Sequence, residues 1–252
     1  MVLVLFNNLE EKDKSKAIDN LISESTPRQE FFLMVILSVL MATFGLLTNS
    51  AAVIIGSMLI APILYPILSL SLGVVIADFK LISRSFYTII KSIAYGVAGS
   101  AVATLFFRPA NFDLVSPETQ AMFSEIISRT EPSITYGAIA VVAGFAASFA
   151  MIKPKLSETL PGTAISVALI PPLAVTGIGI AQADWNIISN SFMLFTVNAI
   201  GIIFASMIVF SLMHLYIKRL EVNKVIDREE AVVKKEISEA EKLQREHSLI
   251  KE

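Results

Sequence analysis

The feature that most constrains this chain is a pair of long apolar stretches that prolines interrupt. Residues 49–78 read NSAAVIIGSMLIAPILYPILSLSLGVVIAD, with Pro62 and Pro66 inside. Residues 161–184 read PGTAISVALIPPLAVTGIGIAQAD, with Pro171 and Pro172 side by side. A helix-interior proline removes one backbone donor and clashes with the preceding turn. In lipid, the freed carbonyls must be satisfied by protein or by water in a cavity. The pattern therefore predicts two broken helices inside a membrane. The stretches also align. Leu59-Ile60-Ala61-Pro62 matches Leu169-Ile170-Pro171-Pro172, and Gly73, Ala77, Asp78 and Phe79 match Gly179, Ala183, Asp184 and Trp185.

The rest of the 252 residues fits a membrane. The chain is 54% apolar and only 17% charged, which predicts a polytopic membrane protein whose main surroundings are the lipid bilayer. A net charge of −2 points to no nucleic-acid partner. There is no cysteine, which excludes disulfides, thiol catalysis and cysteine-based metal sites. No short apolar core followed by a small-residue cleavage site is visible, so no cleaved signal peptide is expected.

Residues 1–29 read as a short cytoplasmic segment, with a strand at Val2 to Phe6 and a surface helix over Leu9 to Leu21 that Pro27 ends. Residues 30–217 hold six expected spans, at about 30–48, 51–77, 85–107, 134–152, 161–183 and 187–217. Ser116-Pro117-Glu118 has the composition of a helix start. The apolar stripe of Met122, Phe123, Ile126 and Ile127 behind it predicts a short amphipathic helix. Small residues four apart around Gly96 to Ala101, and the Ala- and Gly-rich fourth span, allow close helix approach and suggest a homo-oligomer. Residues 218–252 read as a charged cytoplasmic helical tail with a weak seam at Val233, Ile237 and Ala240.

Basic residues set the orientation. Eighteen of the twenty Lys and Arg fall in the two terminal segments, in the turns after spans two and four or, as Lys91 does, in the first turns of span three. Only Arg108 and Arg129 fall on the other side. The positive-inside bias places both termini in the cytoplasm. Spans two and five then run in opposite directions, and spans one to three and four to six form a candidate 3+3 inverted repeat. The expected fold is an all-α polytopic membrane protein of six spans with two proline-broken helices. Such repeats recur in secondary transporters, where the repeat interface holds the substrate.

The residues from Asn49 to Pro62 (NSAAVIIGSMLIAP), from Gly162 to Val175 (GTAISVALIPPLAV) and from Ser128 to Ser133 (SRTEPS) resemble the signature of a prokaryotic membrane family catalogued as domain of unknown function 389. The resemblance runs from about Phe31 to Ile217. It implies a multi-pass protein of a prokaryotic inner (plasma) membrane. Many relatives carry a soluble domain before the membrane part, and Val2 to Phe6 is the expected remnant here. The resemblance implies no established activity.

No enzyme is expected. His214 and His247 have no zinc-site spacing, and no nucleophile–base pair, P-loop or paired carboxylate can be named. No cofactor or metal is expected. The spans lack a midplane charge, which weakens a proton relay but leaves a site built from hydroxyls, carbonyls and half-helix ends. The candidate lining residues are Asn49, Ser50, Ser57, Thr163, Ser166, Thr176 and Asn198. Gly56, Pro62, Pro66, Gly162, Pro171 and Pro172 would shape the site. Asp78 and Asp184 are candidate gates or helix caps, with Arg84 or Lys80 as candidate pairing partners. The expected function is a transporter or channel for a small ion or polar solute, with its site near the midplane between spans two and five. The alternative is a non-transporting scaffold or sensor that acts through its cytoplasmic tail.

Overall fold

The computed structural model describes residues 11–109, 121–153, 163–215 and 219–249, and the side chains of all of these except 163–168, 219–221 and 241–249. The strand expected at Val2 to Phe6 and the helix start at Ser116 to Glu118 lie outside the described residues. Every element among the described residues is a helix. In chain order these are α1 (Glu11–Glu24), α2 (Gln29–Leu47), α3 (Ala51–Ile60), α4 (Leu64–Val75), α5 (Phe79–Phe107), α6 (Ser124–Ile127), α7 (Ile134–Ile152), α8 (Thr163–Gln182), α9 (Trp185–Leu212) and α10 (Arg219–Leu249).

Among the described residues, four helices are long and apolar enough to cross a bilayer: α2, α5, α7 and α9. The pair α3 and α4, bent by 51° at its break, counts as a fifth if it is one span. The described apolar part of α8, Leu169–Gln182, falls short of a crossing by length. At 1.5 Å per residue, the 19 residues of α2 rise about 28 Å, close to the hydrocarbon thickness.

Helix α8 is the centre of the bundle. Every residue from Leu169 to Gly179 is buried. Such a helix is apolar all round because it meets protein on all sides. It packs against α5, α9, α2, α3 and α7. Close approach is made by small residues. A Cβ on Gly177 would lie 2.5 Å from the Ser100 Cβ, and one on Gly144 would lie 2.8 Å from the Ile202 Cα. The small faces of spans three and four therefore close on α8 and α9 within one chain.

Three corners turn the chain by one geometry. Asn49, Ala77 and Ala183 take positive φ values of 49°, 52° and 55°. The amide after each donates to the carbonyl of Gly45, Gly73 or Gly179, at 2.7, 2.9 and 3.0 Å. This six-to-one bond closes a helix through a left-handed residue. Each glycine then lies under the next helix. An added Cβ would meet Ile54 Cγ1 at 2.8 Å, Ile82 Cγ1 at 3.0 Å and Ile187 Cγ2 at 2.9 Å.

The amphipathic α1 buries Ala17, Ile18, Leu21 and Ile22 against one end of the bundle. It packs on α4, α7 and α10. Burying its three large side chains contributes about 6 kcal/mol. Thr26 and Ser25 end α1 by donating their hydroxyls to the Ile22 carbonyl at 2.8 and 3.1 Å.

Candidate functional site

The break between α3 and α4 occupies residues 61–63, and proline spacing explains it. Pro62 has no N–H to offer the Met58 carbonyl, and Pro66 has none for the Pro62 carbonyl. Two successive turns thus each lose a bond, and the chain unwinds between them. Tyr65 N–H takes the Pro62 carbonyl instead, at 3.2 Å. Pro66 is the third residue of α4, where no intrahelical donor is required. The break is largely enclosed by protein: Ala61 is 7% exposed and Ile63 0%, while Pro62 is half-buried.

The corresponding break in span five is corrected by the structure. Helix α8 continues through Thr163–Gln182 with Pro171 and Pro172 in its interior. Adjacent prolines remove donors from one turn only, and their fixed φ is itself helical. The helices packed around α8 hold the turns on either side. Thr176 donates its hydroxyl to the Pro172 carbonyl at 2.9 Å and lies 3.0 Å from the Ser191 hydroxyl of α9. One broken helix, α3/α4, therefore packs through α3 against one unbroken, proline-containing helix.

The expected lining residues separate into groups. Ser57 is fully buried beside the break. Its hydroxyl donates to the Ile54 carbonyl at 2.6 Å, and its carbonyl accepts from Ser38 Oγ at 2.7 Å. Thr176 and Asn198 are buried on α8 and α9, at 4% and 3% exposure. Asn49 and Ser50 sit at the corner between α2 and α3, away from the break. The Asn49 Oδ1 accepts from Glu125 N–H at 3.0 Å, so Asn49 holds the start of α6. Ser50 precedes α3 without a side-chain capping bond. Thr163 and Ser166 begin α8, but their side chains, like Gly162, lie outside the described residues. At Gly56 an added Cβ would meet only the mobile end of Met41, at 3.0 Å.

Asp78 and Asp184 are helix caps. Asp78 accepts from Leu81 N–H at 2.9 Å, and Asp184 accepts from Asn186 and Ile187 N–H at 2.9 and 3.2 Å. Lys80 pairs with Asp227 at 2.8 Å and with Glu230 at 3.0 Å, both on the tail helix. Arg84 donates to Thr26 Oγ1 and reaches the Ile22 carbonyl at 3.5 Å. Neither basic residue is the ion partner of Asp78.

Sequence reasoning missed two polar links. Thr43 donates to Ser100 Oγ at 2.8 Å, and Ser100 donates to the Ala174 carbonyl at 2.7 Å, joining α2, α5 and α8. Ser148 donates to Ser206 Oγ at 2.7 Å, joining α7 and α9. A signal existed: each serine sits beside the small residues that let the helices approach. The amphipathic segment after residue 120 lies on the protein, with Phe123 and Ile126 buried at 4% and 0%. Among the described residues, no group of three His, Asp or Glu side chains is placed to hold a metal ion.

These elements define an all-helical membrane protein built around a broken helix and a buried central one. The domain of unknown function DUF389 matches residues 58–204. A protein of Methanocaldococcus jannaschii described as uncharacterized is 33% identical over 183 residues, which cover 73% of this chain. The chain belongs to the DUF389 family. The match spans about half of that relative, 54% of its length. No solved structure matches the chain.

Proposed function

We propose that this protein is a membrane transporter or channel for a small ion or polar solute, acting at the α3/α4 break. The observation that carries the reading is a 51° break that lies largely within the helical bundle. The end of α3 presents carbonyls and the start of α4 presents N–H groups, which favour a cation and an anion respectively. Paired, proline-bearing helices in the two halves of a chain are where transporter sites are found.

The full reading has six spans in a 3+3 inverted repeat, with α8 as the fifth. Several features support it. The corners at Asp78 and Asp184 share one geometry. Ser100 and Ser206 each follow their corner aspartate by twenty-two residues and accept a hydroxyl from the first helix of their own half. Helix α4 packs on α9 while α8 packs on α5, an exchange between halves. The N-terminal segment, the α4–α5 corner and α10 meet at one end, through Arg28–Glu229 and Lys80–Asp227. With the charge bias, that end is cytoplasmic, and the relative from Methanocaldococcus jannaschii supports a prokaryotic plasma membrane. A homo-oligomer would use the outward apolar face of α7, where Ile139 and Val142 are exposed.

The absence of native cysteine allows a direct test. Ser57→Cys and Thr176→Cys are compared with the exposed Ser124→Cys in intact membranes, using a charged thiol reagent offered from both sides. Labelling of Cys at 57 and 176, buried in this conformation, is the expected result. Labelling of the control alone sinks the transport reading. The scaffold reading rests on the ion pairs that hold α10, and predicts that removing residues 222–252 abolishes partner binding while the bundle stays folded.

A further inference from the structure

A groove of about 340 Å³ opens between the start of α2, the middle of α5 and the tail helix α10. Glu30 and Phe32 line it from α2, Lys91 and Tyr95 from α5, and Glu236 and Ile237 from α10. Phe32 and Tyr95 meet edge to face, with ring centroids 5.4 Å apart. The Lys91 ammonium lies 4.6 Å from the Tyr87 ring centroid and 5.7 Å from that of Phe32. Among the described residues, Glu30, Lys91 and Glu236 form no ion pair, although all three line the same groove. The first turn of α2 borders it as well and has no side-chain cap.

Position says what this groove meets. Helix α2 is one membrane thickness long, so its first turn marks the hydrocarbon edge. Aromatic rings and a lysine at such an edge sit at headgroup level. Charge says which headgroup. Lys91, held over the Tyr87 and Phe32 rings, and the two carboxylates have no ion-pair partner among the described residues, while Arg28, which also lines the groove, is paired with Glu229; an anionic headgroup would leave both carboxylates facing it. A headgroup with a phosphate and a primary ammonium satisfies all three. We propose that the groove binds a phospholipid of the phosphoethanolamine type. Lys91 and the uncapped start of α2 hold its phosphate, and Glu30 and Glu236 hold its ammonium. Tyr95 and Phe32 flank the upper acyl chains. The bound lipid would bridge the membrane domain and the tail helix. This inference stands apart from the transport reading and survives its failure.

The test is native mass spectrometry of the full chain in detergent, titrated with dioleoyl-phosphatidylethanolamine or dioleoyl-phosphatidylglycerol. The expected result is retention of the ethanolamine lipid about fivefold above the glycerol lipid, as one charge-assisted contact at a half-open site would give. Lys91→Gln and Glu236→Gln change side chains outside the core, and each should lower retention to the glycerol-lipid level without moving the unfolding temperature. Equal retention of the two lipids overturns the proposal. So does wild-type retention in either variant. Free glycerophosphoethanolamine, added at the lipid's concentration, should leave the lipid in place. If it displaces the lipid, the groove binds a soluble ligand and the lipid assignment is wrong.

Discussion

Ala77 and Ala183 hold positive φ values that ordinary side chains avoid. A left-handed alanine costs about 1 kcal/mol, and glycine escapes that cost. Ala77→Gly and Ala183→Gly should each raise stability by about 0.5–1 kcal/mol, read as a higher thermal midpoint by circular dichroism in detergent. The neighbouring glycines obey the opposite rule. Gly73→Ala would put a Cβ 3.1 Å from the Ile82 backbone nitrogen, which cannot swing away. It should cost about 1–3 kcal/mol by overpacking. Asp78→Ala should lose about 1 kcal/mol, and Asp78→Ser, still able to cap, should recover most of it. Much of this was legible. The recurrence of Gly, Ala and Asp at one spacing showed that two corners were related. The third corner uses Gly45, Asn49 and Ser50, different letters that satisfy the same backbone. Asn49, a candidate lining residue, takes the left-handed conformation with its backbone and bonds the start of α6 with its side chain.

At the level of whole helices, the sequence overestimated one break and placed the other well. A chain read residue by residue counts two missing donors in each stretch and treats them alike. Spacing separates them physically. Prolines four apart strip two successive turns, whereas adjacent prolines strip one, and burial on all sides holds that turn together. Helix limits were legible unevenly: α7 runs from the expected Ile134 to Ile152, whereas α5 starts at Phe79 instead of about 85 and α9 ends at Leu212 instead of about 217. The paired change Pro62→Ala and Pro66→Ala restores both donors. It should let α3 run into α4 as one helix. Labelling of Ser57→Cys should then fall by about tenfold, because a continuous backbone has no reason to open to water. Unchanged labelling would separate the break from solvent access. The fully buried turn of α8 gives a companion test. Thr176→Val keeps the shape but removes the hydroxyl's bonds to the Pro172 carbonyl and the Ser191 hydroxyl, and since Ser191 keeps its bond to the Ile187 carbonyl the loss should be about 1 kcal/mol in thermal unfolding.

The molecule as a whole joins a membrane bundle to a charged tail, and the sequence could not say how firmly. Charge runs usually mark solvated faces, and nothing local shows which carboxylate will be buried. In the structure, Val222, Val225 and Ile226 of α10 are buried at 0%, 8% and 0%, and α10 packs on α1. Beside them Glu229 accepts from Arg28 at 2.6 Å, its side chain only 6% exposed. Lys80 makes its two pairs to Asp227 and Glu230 in a more open setting, itself 45% exposed. The two contacts look alike on paper and should differ sharply in effect. Glu229→Ala leaves the Arg28 guanidinium partly enclosed without its counter-charge. Breaking a buried pair from one side costs several kcal/mol, and the partial exposure of Arg28 reduces this to about 2–3 kcal/mol. Lys80→Ala removes a solvent-screened pair and should cost under about 1 kcal/mol. Local opening of α10 is the natural readout, since a docked helix resists proteolysis in proportion to its docking free energy. Digestion of the tail should therefore speed up by about thirtyfold or more in Glu229→Ala and by less than about fivefold in Lys80→Ala. Raising the salt should bring wild type toward Lys80→Ala and leave the Arg28–Glu229 contact in place, because enclosed pairs are screened far less. Equal digestion of the two variants would mean that apolar packing alone docks the tail.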